Sequence, residues 1–158
     1  MKKFLTITYW GILLIYLVLL FDTVFIARDV RRSINFIPFQ MINEQGFSLN
    51  VWGNILMFIP AGVYIALQLK NFALKKAIAL IIGASLAIEI IQFTFSRGAT
   101  DIDDVILNTA GGLLGIFIYM LFKVIFKSKE KIKSALSILS LIVGAPIIIL
   151  VVILIISN

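Results

Sequence analysis

Long apolar runs alternate with short polar segments along the whole sequence. Five of these runs approach the roughly 20 residues with which an α-helix crosses about 30 Å of hydrocarbon. The pattern predicts an all-α fold, a polytopic transmembrane bundle of about five helices. The predicted spans are residues 4–21, 51–69, 72–95, 102–126 and 135–156. The first run exceeds a typical signal-peptide core and no small-residue cleavage pattern follows Phe21, so we expect a retained anchor.

The distribution of cations predicts the orientation of these spans. If the N-terminus is cytoplasmic, all ten lysines lie in or beside cytoplasmic segments, and all four arginines lie outside. The positive-inside rule therefore predicts a cytoplasmic N-terminus and an extracytoplasmic C-terminus. The same rule accounts for the net charge of +6. We therefore expect a multi-pass membrane protein that contacts the lipid bilayer and no nucleic acid.

Composition excludes several kinds of chemistry. The 158 residues predict a single domain, residues 1–158. The chain has no cysteine, so disulfides and thiolate catalysis are excluded. It has no histidine either, which removes the commonest general base and the commonest transition-metal ligand. No cofactor and no metal site are predicted.

Polar residues inside the third span are the first candidates for a functional site. A carboxylate or amide at membrane depth costs several kcal/mol unless it is paired or hydrated. Glu89 and Gln92 lie three residues apart and therefore share one helix face. They are predicted to face protein or a water-filled cleft. Both a functional role and a structural hydrogen bond from Glu89 to Asn54 or Asn108 fit this pattern.

The start of the fourth span carries a second polar group. Thr100 and Asp103 have the spacing of a capping box, and capping alone would account for Asp103. Asp101, Asp104 and Asn108 are predicted to form one stripe that runs into the membrane.

Small residues and a proline are the predicted structural positions. Gly111 and Gly115, beside Gly112, form a Gly-x-x-x-Gly step that lets another helix approach closely. We expect this face to pack against the third span, with Glu89 near Asp104 and Asn108. In the second span, the side chain of Asn54 is expected to lie at the same depth in the membrane as that of Glu89. Pro60 is expected to kink that span and to free the carbonyl of Leu56.

The arginines give the outer segments a further candidate role. Residues 31–39 mix cations, an amide and aromatics, which is typical of a segment at the membrane interface. Arg31 and Arg32 are expected to contact Asp101 or Asp104, or a lipid phosphate, and Arg97 is an outer arginine beside the same acids. Either a structural ion-pair network or an anion site would fit, because guanidinium groups bind carboxylates and phosphates well.

Four of these segments together resemble the VanZ-like family of small bacterial membrane proteins. The resemblance covers residues 32–115, and its motifs are Arg-Ser-Ile-Asn through Pro-Phe at 32–39, Asn-Ile and Phe-Ile-Pro-x-Gly at 54–62, Glu-Ile-Ile-Gln-Phe at 89–93, and Gly-Ala-Thr-Asp with Asp-Val, Asn-Thr and the glycines at 98–115. The family takes its name from a protein of teicoplanin resistance. The resemblance therefore implies a cell-envelope protein linked to low-level resistance to teicoplanin, a glycopeptide with a fatty-acyl tail.

Two functions remain open at this stage. The first is a non-enzymatic protein whose extracytoplasmic polar site binds a lipid-linked cell-wall component or an amphiphilic glycopeptide. The second is a metal-assisted intramembrane enzyme that acts on a lipid head group, with carboxylates as hard oxygen ligands and arginine as a phosphate clamp. No catalytic motif accompanies the second, so the first is favoured, and whether the chain is an enzyme stays open.

Overall fold

Six helices and two short strands make up the described part of the chain. The computed structural model describes residues 2–26, 33–96 and 99–156, with side chains of the last helix up to Ile142. The elements are α1 (Lys2–Phe21), a π-helical turn (Asp22–Ile26), β1 (Ser33–Asn35), α2 (Gln40–Gln45), α3 (Leu49–Gln68), α4 (Leu74–Thr94), β2 (Ala99–Asp101), α5 (Ile102–Phe126) and α6 (Lys129–Ile156).

The prediction of an all-α membrane bundle is confirmed. In the described part of the chain, four helical segments are long and apolar enough to cross a membrane: Lys3–Ile26, Leu49–Gln68, Leu74–Thr94 and Ile102–Phe126. Helices α1, α3, α4 and α5 begin and end within two residues of the predicted spans, and α5 matches its span at both ends. The number of spans and their orientation stay predictions.

The last helix begins earlier than its apolar run predicts. Helix α6 starts at Lys129 rather than at Ala135. Ser128 precedes its first turn: the Ser128 hydroxyl accepts a hydrogen bond from the Lys131 amide at 3.3 Å, and the Ser128 carbonyl accepts one from the Ile132 amide at 3.1 Å. A serine cap and a lysine-rich first turn thus extend the helix beyond its apolar part.

The chain divides into two compact units, and the predicted single domain stays a prediction. The smaller unit consists of Met1–Val18 and Phe122–Asn158. Within it, Tyr9 and Ile132 are buried. The Ser137 hydroxyl donates to the carbonyl of Leu5 at 3.1 Å and to that of Lys133 at 2.9 Å, which ties α6 to α1.

The larger unit, Leu19–Leu121, holds α3, α4 and most of α5 around a buried apolar core. Glycines let α5 approach both neighbours. A methyl group on Gly111 would overlap the carbonyl oxygen of Ile55 in α3, and one on Gly112 would overlap the Ile81 side chain in α4. Successive residues of a helix point about 100° apart around its axis, so the adjacent glycines Gly111 and Gly112 face different helices.

The predicted partner of the Gly-x-x-x-Gly face is therefore wrong. This face packs against α3, the second predicted span, and not against α4, because Gly111 and Gly115 both lie on the α3 side of α5. A methyl group on Gly115 would overlap the carbonyl oxygen of Ile59, and one on Gly62 would overlap that of Gly112. Pro60 lies inside α3 within the same stretch.

The two strands pair in parallel, an arrangement that the apolar pattern did not predict. Ser33 pairs with Ala99, Ile34 with Thr100, and Asn35 with Asp101. Three-residue strands are too short to show an alternating pattern. Their pairing places the segment before α2 against the chain that opens α5.

Candidate functional site

Ten polar residues meet where α4 ends and α5 begins. We call them the polar cluster. Five of them, Glu89, Gln92, Asp103, Asp104 and Asn108, are at most 5% exposed, and Ser85 is fully buried. The other four, Asn35, Asn54, Thr100 and Asp101, are half-buried. Among the predicted site residues, hydrogen bonds connect Glu89 with Asp101 and Asn54 with Asp104. Their role as a functional site stays a prediction.

Glu89 connects strand β2 to helix α4 through two hydrogen bonds. Its Oε2 accepts a hydrogen bond from the Asp101 amide at 3.1 Å, and its backbone carbonyl accepts one from the Thr100 hydroxyl at 3.5 Å. The expected partners of the Glu89 side chain were Asn54 and Asn108. Asn54 donates to Asp104, and Asn108 donates to Ser85.

Asp101, and not Thr100, caps helix α5. The Asp101 Oδ1 accepts from the Asp103 amide at 2.9 Å, the usual geometry of an N-cap carboxylate. Both Asp101 oxygens also accept from the Asn35 side-chain amide, at 3.2 and 3.1 Å. The predicted capping box is wrong because its two side chains bond elsewhere: the Thr100 hydroxyl donates to the Glu89 carbonyl, and the Asp103 carboxylate accepts from distant backbone amides.

Asp103 binds a distant segment rather than its own helix terminus. Its two oxygens accept hydrogen bonds from the backbone amides of Phe39 and Met41, the latter at 2.7 Å. Phe39 has a positive φ of 62°, a conformation that is uncommon for residues with a side chain. The buried carboxylate thus holds the turn that leads into α2. Capping alone does not account for Asp103, and local spacing could not reveal this contact.

Asp104 and Asn108 connect α5 to two different helices. The Asn54 side-chain amide in α3 donates to Asp104 Oδ1, and the Asn108 side-chain amide donates to the Ser85 hydroxyl in α4 at 3.0 Å. Asn54 therefore does point at the same polar layer. The predicted stripe is divided, because Asp101 lies on the strand. The sequence reasoning missed Ser85, a lone hydroxyl among apolar residues.

Gln92 contributes a buried acceptor at the edge of the polar cluster. Its Nε2 donates to the carbonyl of Val24 at 2.9 Å, which fastens the π-helical turn to α4. Its Oε1 is buried and has no hydrogen-bond partner in the structure described for residues 2–26, 33–96 and 99–156.

Two predicted site residues, Arg32 and Arg97, lie outside the described residues. The predicted ion pairs and the anion site therefore stay predictions. Among the residues that are described, no group of three or more Asp and Glu side chains is arranged to hold a metal ion.

Comparison with known proteins places this arrangement in a family. The model of the VanZ/LLP1 family matches residues 7–123. The chain belongs to the VanZ/LLP1 family. It is 36% identical over 118 residues to Protein VanZ of Enterococcus faecium, an alignment that covers 69% of this chain and 71% of that protein. No solved structure matches the chain.

The VanZ/LLP1 match includes the whole polar cluster and leaves out all of α6. Within the match, the half-buried members of the polar cluster can bind a polar group. The side chains of Asn35, Asn54, Thr100 and Asp101 offer both donors and acceptors. The fully buried members contact backbone and neighbouring helices, so they hold this surface in place.

Proposed function

We propose that this chain is a multi-pass protein of the bacterial cytoplasmic membrane whose polar cluster binds an amphiphilic cell-wall ligand at the extracytoplasmic surface. The observation that carries this proposal is the burial of three acids, Glu89, Asp103 and Asp104, to 3% exposure or less. They lie in two helices that are long and apolar enough to cross a membrane. An ionisable side chain inside a membrane has an unfavourable free energy, and such side chains commonly mark functional sites.

The extracytoplasmic position follows from the charge bias of the connecting segments. Lys70, Lys75 and Lys76 lie in or next to the link between α3 and α4, whereas the polar cluster lies at the opposite ends of both helices. The chain has no native cysteine, so single cysteines can report sidedness directly. We expect Glu44→Cys to react with an impermeant maleimide on intact cells and Lys75→Cys to react only after lysis. The reverse pattern would invert the proposed topology.

The ligand class follows from the chemistry of the surface. Half-buried amides and a carboxylate suit a polar head group, and the apolar helices beside them suit an acyl chain. Teicoplanin has both parts, and so does a lipid-linked cell-wall precursor. Membership of the VanZ/LLP1 family supports the link to low-level teicoplanin resistance. We therefore propose that this chain lowers sensitivity to acyl-bearing glycopeptides.

The buried acids act in this proposal as positioning residues. Glu89 holds the backbone at Asp101, and Asp104 accepts from the amide of Asn54. Loss of either acid would release a half-buried group from its position at the surface. Removing one partner of a buried hydrogen bond also leaves the other unsatisfied, at a cost of about 1–3 kcal/mol.

The test is a comparison of two drugs in one set of strains. The chain is expressed in a teicoplanin-sensitive Gram-positive host beside Glu89→Gln, Asp104→Asn and the control Asp22→Asn, an exposed acid outside the polar cluster. Membrane levels are matched, and inhibition by teicoplanin and by vancomycin is measured together. We expect tolerance to rise for teicoplanin alone, to fall in both cluster variants and to persist in the control.

Other outcomes of this comparison would count against the proposal. An equal change for both drugs would remove the role of the acyl chain. Tolerance that survives both cluster variants would separate resistance from the polar cluster.

The enzymatic alternative has weaker support. Both oxygens of Asp103 already accept backbone hydrogen bonds, and both oxygens of Asp101 accept from Asn35. These carboxylates are engaged in holding the fold. Hydrolysis of a lipid head group by the purified chain, dependent on a divalent cation, would favour the enzyme instead.

A further inference from the structure

We infer that a groove between α1 and α6 binds an anionic phospholipid, with its acyl chain in the groove and its phosphate at the lysines. The groove lies within the smaller unit and has a volume of about 550 Å³. This size falls in the range of about 300–1,000 Å³ that is typical of small-molecule sites. The inference concerns a site separate from the polar cluster and does not depend on the proposed function.

The lining of the groove is amphipathic. Leu5 of α1, Phe126 of α5 and Ile138 of α6 supply apolar surface, and Ala135 leaves space between them. Most of the lining surface is apolar. A hydrocarbon chain fits such a lining, because it makes dispersion contacts without leaving a polar group unsatisfied.

The charged part of the lining is cationic. Lys131 and Lys133 both line the groove. Lys133 lies over the ring of Tyr9, with its Nζ 5.6 Å from the ring centroid, so its ammonium group is held near α1. Lys131 is exposed, and within the described part of the chain its ammonium group has no ion-pair partner.

One acid also lines the groove and must be weighed against the lysines. Glu130 Oε1 lies 3.9 Å from Lys133 Nζ, at the outer limit of an ion pair, and its side chain is 82% exposed. Such exposed pairs contribute little, so Glu130 neutralises Lys133 only weakly. The segment from Lys123 to Lys133 holds five lysines and this one glutamate. The surrounding charge is therefore positive.

These two features select the occupant. An apolar channel alone would accept any lipid tail, and lysines alone would attract any anion. A phospholipid with a net negative head group satisfies both at once, since lysine side chains near a membrane attract anionic lipid. The long lysine stems can lie along the apolar surface while their ammonium groups reach the phosphate.

The experiment uses the purified full-length chain in a neutral detergent. Binding of short-chain phosphatidylglycerol is compared with that of phosphatidylcholine with the same acyl chains, and with that of glycerol phosphate, by the shift in thermal unfolding temperature. We expect stabilisation by phosphatidylglycerol well above that by the other two. Equal stabilisation by phosphatidylcholine would overturn the role of the lysines, and equal stabilisation by glycerol phosphate would overturn the role of the acyl chain.

Variants then locate the site. Lys131→Gln/Lys133→Gln is expected to weaken phosphatidylglycerol binding by about tenfold or more, since each lysine near an anionic lipid contributes appreciably. The control Lys75→Gln/Lys76→Gln removes the same charge from exposed lysines of α4 and should bind as the parent does. An equal loss in the control would show diffuse attraction to the whole chain and would overturn the inference.

A third variant guards against a simple loss of folding. Ala135→Phe keeps every lysine but fills the groove beside Leu5 and Ile138. We expect it to unfold at nearly the parent temperature without lipid and to lose the shift caused by phosphatidylglycerol. Retention of the full shift in this variant would remove the groove from the explanation.

Discussion

Helices α5 and α1 are both long and apolar, yet a much larger share of α5 is buried. In the most apolar stretch of each helix, 39% of the residues of α5 are buried but only 6% of those of the segment that contains α1. The difference lies in the small and polar residues of α5. Gly111 and Gly115 admit the backbone of α3, and Gly112 admits the Ile81 side chain. Asp103, Asp104 and Asn108 bond to three other segments.

This comparison separates two properties that hydropathy alone combines. Apolar composition allows a helix to lie in a membrane, whereas close packing requires positions where side chains are absent or polar. Lipid is as apolar as leucine, so leucine-rich surfaces have little preference for protein over lipid. Replacing a small or polar residue should therefore lower the stability of the protein when the residue lies in α5 and change it little when the residue lies in α1.

The largest expected effect comes from the glycines. Gly111→Ala and Gly115→Ala should each destabilise the chain by about 3 kcal/mol or more, because the new methyl group would overlap a backbone carbonyl oxygen of α3, which cannot turn away as a side chain can. The matched control is Gly11→Ala in α1, where nothing lies within 4 Å of the new methyl group. Thermal unfolding in detergent measures all three.

The control should be as stable as the parent or slightly more stable, since alanine favours helix over glycine by about 0.5–1 kcal/mol. The sign of the effect therefore distinguishes the two helices. If Gly111→Ala behaved like Gly11→Ala, α5 would not pack closely on α3.

A smaller effect is expected from exchanging acids for amides. Asp103→Asn keeps the size of the side chain. It replaces one carboxylate oxygen with an NH₂ group, which then faces a backbone N–H group that donates to the carboxylate in the parent chain. Hydrogen bonds to charged groups contribute about 1.5–3 kcal/mol each, so we expect a loss of about that size. The control Asp22→Asn makes the same exchange at an exposed acid just after α1 and should stay within about 0.5 kcal/mol.

Proteolysis gives this exchange a second, local measurement. Asp103 holds Phe39 and Met41, so its loss should speed cleavage in the segment before α2. Unchanged cleavage with lowered stability would mean that the carboxylate stabilises α5 by another contact.

Much of the fold was predictable from local pattern. The ends of α5 follow from its apolar run, and α1, α3 and α4 fall within two residues of prediction. Acids and amides stand out in an apolar chain, so the sequence could name candidate residues, and their role as a functional site stays a prediction. Their partners were not predictable: Asp103 contacts amides 62 and 64 residues away.

By itself, the sequence determined that this is a helical membrane protein, which of its residues are polar at depth, and that it resembles the VanZ-like family. These properties depend on composition and on spacing within one helix, which any reader of the chain can measure. Only the tertiary structure decided that Asp101 caps α5, that Gly111 and Gly115 serve α3, and that β1 pairs with β2. Each of these depends on which distant segments meet. Local spacing leaves that open, because several neighbours could satisfy the same glycine face or carboxylate, and the packing of the whole chain selects one.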